Sequence, residues 1–516
     1  MKPEKRVYTS AVILLLFCIG SVLIYFPTIR RGFVSDDFLV MKRVGVDKVI
    51  WIKGFFRPLA DLLLYCSYRL HGLAPAGYYL FNILLHGISS FLLLRLCLLW
   101  KWTEDADRQR SYALLAALLF LFYPFHNECI VWVLGRGSLA ANMLGLGALL
   151  AVVSGLPERK KIFWCCVCYF AGMAGYESVL LVPLMVLVIL LTKGVRMMEY
   201  ARWGLALGIT LGIHLVLRVV VSGTLTGDYG GGFFQFSPAK YGGNVFKVLG
   251  RLFLPPMNDS RLMVLLFVLV MGGLLAGFFL FFRKYRDQPG KREYLIKLFL
   301  LIVIACVVPV LAGVSSHTSE SDRFLYFPSY FLCAGGAFLL VNMVRRKWLP
   351  AAMVVLLCYE GVFLEKNNWN WIKASAIAND VLGTVLREKT GNKLFIVNLP
   401  DELDGAYIFR LGLPDALLMN GRDTSGLVIV NHLRRDVEVR LPDSLIVEEK
   451  VGELVLGPGV IIRRGEADSF RITGVGGVQT MQGREKAGAY TWLGGKDDVV
   501  LYWNRKRLLK WVPGGR

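Results

Sequence analysis

Apolar runs long enough to cross a bilayer recur through the first two thirds of this chain, and a water-soluble fold has no place for them. Read at about 18 residues or more per span, they give about eleven helices. These fall at 7–29, 76–100, 111–126, 138–156, 161–176, 178–192, 203–222, 262–283, 294–314, 324–344 and 348–365. The 161–176 and 178–192 runs are short and read as a tight hairpin or a partly re-entrant pair. A mean hydropathy of +0.52 and a hydrophobic share of 55% place the chain outside the soluble class. The basic start, Lys2 to Arg6, is that of a signal peptide. The apolar run that follows is too long for a signal h-region and ends on Arg30-Arg31, so an uncleaved anchor is expected.

Lys and Arg counts set the orientation. With a cytoplasmic N-terminus, the loops at 101–110, 158–161, 193–202, 283–297 and 345–347 are short, basic and cytoplasmic. Everything after about Asn367 then lies outside. The expected domains are therefore a membrane domain over 1–367 and an extracytoplasmic α/β, β-rich domain over 368–516. The second opens with a helical stretch, Trp371 to Glu388, followed by short strands such as Lys393 to Asn398, Gly426 to Val430, Val451 to Val455, Val460 to Arg463 and Val499 to Trp503. No 34-residue helical repeat is visible there. The long outside loop at 223–261, with Gly230-Gly231-Gly232, Phe233-Phe234 and Pro255-Pro256, reads either as a connector or as a gating loop.

Of the net charge of +21, the tail from residue 370 contributes little: 21 Lys+Arg against 18 Asp+Glu, leaving 38 against 20 before it. Cations spread over membrane loops suit anionic lipids or a lipid phosphate and argue against nucleic acid. All ten cysteines precede residue 360, so the tail has no disulfide framework and no CxxC metal site.

Four expected outside ends carry ionisable residues at membrane depth, where such groups are costly unless paired or used. The first is Asp36-Asp37, two adjacent carboxylates in a loop that also holds Arg30, Arg31, Lys42, Arg43, Lys48, Lys53 and Arg57. Side-by-side carboxylates repel, so one holds its proton more tightly and can act as a base. The second is His126-Asn127-Glu128 with Gly135-Arg136, the third Tyr176-Glu177, and the fourth His317 to Asp322-Arg323. Each alone fits a helix cap or structural ion pair, whereas four on one face fit a catalytic cavity. His86, within the second span, is a supporting position. Arg95, Arg218 and Arg251 read as snorkelling or interface residues. The stretch Gly405 to Arg410 with Pro414 is expected to be ordered and to pack back over the cavity.

These residues carry a resemblance. The ordered set Phe33-Val34-Ser35-Asp36-Asp37-Phe38, Phe56-Arg57-Pro58-Leu59, Gly77-Tyr78 to Asn82 and His86, His126-Asn127-Glu128 with Gly135-Arg136, Tyr176-Glu177 with Pro183, and Asp322-Arg323 to Tyr326-Phe327-Pro328-Ser329 resembles the membrane region of GT-C-class glycosyltransferases. It is most similar to the protein O-mannosyltransferase-like group that bears tetratricopeptide repeats, here without the repeats. The resemblance implies transfer of a sugar from a polyprenyl-phosphate carrier to an extracytoplasmic hydroxyl on a glycan, lipid or protein. It makes Asp36 or Asp37 the base and Arg57, Arg136 and Arg323 the phosphate ligands. Glu128 and Glu177 would then position acceptor or sugar hydroxyls. Because the repeats are absent, acceptor recognition does not carry over, and the chain reads as a bacterial inner-membrane relative. Some GT-C enzymes hold a divalent metal at their acidic motif and others do not; Asp36-Asp37 reads as the metal-free kind, although it is able to hold one. The rival readings are a lipid-linked oligosaccharide flippase or polysaccharide polymerase, and a non-catalytic membrane scaffold.

Overall fold

The computed structural model describes residues 3–50, 54–191, 197–225, 237–257, 259–388, 393–430, 447–450, 453–456, 460–464, 470–476, 478–480, 483–484, 488–494, 497–504 and 506–511. Lys53, Lys193, Gly230 to Phe234 and Val451 lie outside the described residues. The chain divides into two compact units. One comprises Met1–Arg30 and Lys48–Trp369, the other Arg31–Asp47 and Asn370–Arg516. Residues 31–47, which carry the acidic pair, thus belong with the C-terminal part.

The first unit is a helical bundle. Eight of the described helices are long and apolar enough to cross a membrane, and the chain is an integral membrane protein. The other three expected spans are also helical but shorter: Ala106–Phe122, Glu158–Met173 and Val182–Leu190. Helix Ala76–Leu99 packs against Pro3–Tyr25, Ala106–Phe122 and Arg136–Val153. The Val133–Val153 and Asp322–Met343 segments are 72% and 67% buried, whereas Ser260–Lys284 is 6% buried. The exposed side chains of that last helix include Val264, Leu265, Leu269 and Phe279. Such a contiguous apolar surface is stable only against hydrocarbon.

Asn82, fully buried on the central helix, donates to the carbonyls of Ile130 (3.3 Å) and Trp132 (2.9 Å). Those two bonds fasten the irregular 123–135 segment to the bundle and satisfy backbone groups that have no water to turn to. The 223–261 stretch contains the helix Pro238–Arg251, started by Ser237, whose hydroxyl accepts from the Lys240 N–H, and by Pro238 in the first turn. The expected 348–365 and 371–388 helices are one continuous helix, Leu349–Arg387. The junction Lys366-Asn367-Asn368-Trp369-Asn370 has neither Gly nor Pro to break it.

In the second unit, Leu427–Val430, Leu394–Val397 and Val499–Trp503 form the parallel centre of a six-stranded sheet. Val478–Thr480, Gly483–Arg484 and Leu508–Trp511 extend it antiparallel. The central strands are apolar throughout because both faces are covered. A five-stranded antiparallel sheet runs in the order Gly488–Gly494, Phe470–Gly476, Val460–Arg464, Glu453–Leu456, Val447–Lys450. Its Ile462 and Ile472 join Phe395, Val397, Val428, Val430, Val500 and Tyr502 in one hydrophobic core.

Candidate functional site

Within the bundle, four long-range ion pairs use ionisable residues named in the sequence. Glu128 is fully buried in the 123–135 segment. Its carboxylate receives both the Arg323 guanidinium and the Arg323 backbone N–H, the latter at 2.8 Å. Arg323 also donates through Nε to the Tyr176 hydroxyl at 2.9 Å. On the other side of the same tyrosine, the Arg57 guanidinium lies over the ring, 4.1 Å from its centroid. Arg57 then reaches Glu177 through Nε (3.2 Å) and Nη2 (2.9 Å), and Arg218 takes the other Glu177 oxygen at 3.0 Å. The result is a continuous chain from Arg218 through Glu177, Arg57, Tyr176 and Arg323 to Glu128.

Exposure divides this chain. The Arg57, Glu177 and Arg323 side chains are 20%, 26% and 18% exposed, whereas Arg218 is 7% exposed and Glu128 fully enclosed. Burial alone would raise the Glu177 carboxyl, but Arg57 and Arg218 outweigh it and hold it below the usual carboxylate range. The fourth pair, Arg251 with Asp322, is 2.5 Å long and almost fully buried, with the guanidinium over the Phe125 ring. Arg218 and Arg251 are therefore paired inside the protein and do not snorkel. Their partners lie 41 and 71 residues away in sequence, so no local spacing revealed them.

Arg136 and the two histidines serve the frame. Arg136, 1% exposed, donates to Ser67 Oγ (2.6 Å) and to the carbonyls of Leu63, Tyr78 and Val133. It braces helix Pro58–His71 against helix Ala76–Leu99. His86 Nε2 meets the Leu121 carbonyl, which only accepts, so Nδ1 accepts from the Tyr326 hydroxyl at 2.8 Å. His126 Nε2 lies 2.7 Å from Ser329 Oγ, whose own proton goes to the Tyr326 carbonyl. Both rings are enclosed by Phe120 and Tyr326.

The acidic pair opens the helix Asp36–Met41 of the second unit. Asp37 is fully buried, and its Oδ2 accepts the Val34 N–H at 3.1 Å. Asp36 is half-buried, and its Oδ1 accepts the Ser35 hydroxyl at 2.9 Å. Among the described residues, no group of three or more His, Cys, Asp or Glu side chains lies close enough to hold a metal ion.

Two outcomes follow from this geometry. A Cβ at Gly135 would meet the backbone carbonyl oxygens of Glu128 and Cys129, which have no room to move. Gly135→Ala should cost about 1–3 kcal/mol as an overpacking change, read as a lowered melting temperature in detergent. Glu177, whose folded pKa is depressed, adds stability above its unfolded pKa of about 4.3 and loses it as pH falls through the lower folded value. Acid titration of Glu177→Gln should lack that loss below about pH 4.5 and match the wild type's slope at pH 6 and above.

No family model matches the chain. It is 32% identical over 109 residues to Protein O-mannosyl-transferase TMTC3 of Mus musculus, covering 21% of this chain and 11% of that protein. It is 26% identical over 213 residues to Protein O-mannosyl-transferase Tmtc3 of Drosophila melanogaster, covering 32% and 22%. With Protein O-mannosyl-transferase TMTC4 of Homo sapiens it shares 32% identity over 131 residues, covering 23% and 18%. The matches thus span 11% to 22% of these relatives' length. Among solved structures, the arabinofuranosyltransferase AftD from Mycobacteria overlaps with a TM-score of 0.44 at 13% identity, over 82% of this chain and 37% of that one. ArnT from Cupriavidus metallidurans bound to undecaprenyl phosphate gives 0.40 at 15% identity, over 81% and 86%. The chain is a polytopic helical membrane protein that resembles the protein O-mannosyl-transferases over part of its length.

Proposed function

We propose that this chain is a GT-C-type glycosyltransferase that moves a sugar from a polyprenyl-phosphate carrier to a hydroxyl of a glycan, lipid or protein acceptor. In this reading the N-terminus is cytoplasmic, residues 1–367 form the catalytic membrane domain, and 368–516 lie outside a bacterial inner membrane. The observation that carries the reading is the arginine network around Tyr176. Three guanidiniums, those of Arg57, Arg218 and Arg323, face two carboxylates, those of Glu128 and Glu177. The network's more exposed guanidiniums, those of Arg57 and Arg323, are planar, bidentate donors of the kind that suits a phosphate. The similarity to protein O-mannosyl-transferases supports sugar transfer as the chemistry.

The steps follow from these groups. A carboxylate of the acidic pair takes the proton of the acceptor hydroxyl. The oxygen attacks the anomeric carbon, and the bond from that carbon to the phosphate oxygen breaks with inversion. The electron pair leaves with the polyprenyl phosphate, whose developing charge is met by Arg57 and Arg323. A base must reach its substrate, which favours half-buried Asp36 over Asp37. The buried Asp37 carboxylate is engaged with the Val34 N–H of its own turn. Glu177 and Glu128 hold the two arginines in place, and the partly exposed Glu177 orients sugar or acceptor hydroxyls.

The test is release of free polyprenyl phosphate from polyprenyl-phosphate hexoses and pentoses by the purified chain. Asp36→Asn should lower turnover by about 10²–10⁴-fold. Asp37→Asn should cost less, because an amide oxygen still accepts from Val34. Arg57→Ala should raise the KM for donor by about tenfold or more, the worth of one charge-assisted contact. Retention of full turnover by both Asp variants would overturn the reading.

A further inference from the structure

We propose that residues 408–412 of the C-terminal unit act as a clamp that positions the acidic pair, so that the tail is a working part of the reaction centre. The proposal rests on Asp36 as base. Ser35, immediately before the pair, has φ +46° and ψ −123°. A non-glycine residue keeps such a conformation only where its surroundings impose it, and here the surroundings are the tail. The Ser35 N–H donates to the Ile408 carbonyl at 2.8 Å. The Leu411 N–H donates to Ser35 Oγ at 3.2 Å, and that hydroxyl in turn donates to Asp36 Oδ1 at 2.9 Å. The rotation of the Asp36 carboxylate is thereby tied, through one hydroxyl, to a backbone amide nearly four hundred residues away in sequence. Phe38, just past the pair, stacks on Phe409 at 6.1 Å and 22°. Gly412 closes the clamp: at φ +85° it brings its Cα so near that a Cβ there would run into the Ser35 carbonyl oxygen.

The clamp is itself anchored. The Ile408 N–H donates to the Asp401 carbonyl at 2.8 Å, and the Phe409 N–H to that of Pro400. Both acceptors follow directly from the carboxyl end of the central parallel strand Leu394–Val397, and the Asn398 N–H bonds Val430 of the neighbouring strand. The run before the pair is also held. Ser375 Oγ donates to the Gly32 carbonyl at 3.1 Å, and Arg31 lies over the Trp371 ring. Trp371 meets Tyr407 edge-on at 5.6 Å. The sheet of the C-terminal unit is thus the rigid mount, and the acidic turn is what it carries.

Two glycines at positive φ separate this from plain destabilisation. Gly412→Ala places a Cβ against Ser35, whereas Gly421, at φ +77°, has nothing within reach of an added Cβ. Both changes carry the conformational cost of a left-handed residue. Hydrogen exchange and donor kinetics are measured on the full chain in detergent. Gly412→Ala should speed amide exchange across 33–38 and lower kcat by about tenfold or more, equivalent to about 1.4 kcal/mol or more, with donor KM within about twofold. Gly421→Ala, which carries only the conformational cost, should do neither. Ser35→Ala, which removes the hydroxyl without adding bulk, should likewise lower kcat with KM kept. Unchanged exchange in Gly412→Ala, an equal fall of kcat in both glycine variants, or a change confined to KM would overturn the clamp. If Asp36→Asn retains turnover, the base assignment fails, while the exchange result still decides whether the tail holds the turn.

Discussion

A charge inside a bundle surrounded by hydrocarbon must find its opposite within the protein, and that requirement organises this molecule. Glu128 meets Arg323, Glu177 meets Arg57 and Arg218, and Asp322 meets Arg251. Removing one member would strand the other, at about 3–5 kcal/mol for a buried pair. Because each partner sits on a different helix or turn, the pairs also fix which helix ends come together. The apolar helices alone would leave that choice open, since lipid tails are as apolar as a neighbouring helix.

The same economy applies to uncharged groups. Asn82 holds the 123–135 segment by two carbonyls, Arg136 spends its donors on carbonyls and one hydroxyl, and His86 bridges Tyr326 and Leu121. Irregular backbone at membrane depth exists here because side chains answer its polar groups. Residues that look chemical in sequence are therefore of two kinds: those that hold the frame and those left partly open at its edge. Exposure separates Arg57, Glu177 and Arg323 from Arg136, His86 and His126.

Much of this was legible before any coordinates. The length of the apolar runs gave the helices, because an uninterrupted apolar run is a local property of the chain. In the tail, short apolar runs between turn residues marked the strands Leu394–Val397, Leu427–Val430, Glu453–Leu456, Val460–Arg464 and Val499–Trp503. The single helix Leu349–Arg387 was read as two because its first part was assigned to the membrane and its second to the C-terminal domain. The roles of Arg218 and Arg251 escaped because an arginine within an apolar helix looks alike whether it snorkels or meets a distant carboxylate. The attachment of residues 31–47 to the C-terminal unit was illegible on stronger grounds. It depends on the backbone carbonyl of residue 408 and the backbone N–H of residue 411, which have no sequence signature. Gly412 left a trace, but a glycine before a proline-containing turn is common in loops.

Tyr176 has a consequence of its own. Its ring carries Arg57 and its hydroxyl accepts from Arg323, so one rigid side chain serves as the hinge pin between two cations on different parts of the chain. The two arginines therefore share one support: a change at Tyr176 would take the ring from Arg57 and the hydroxyl from Arg323 together.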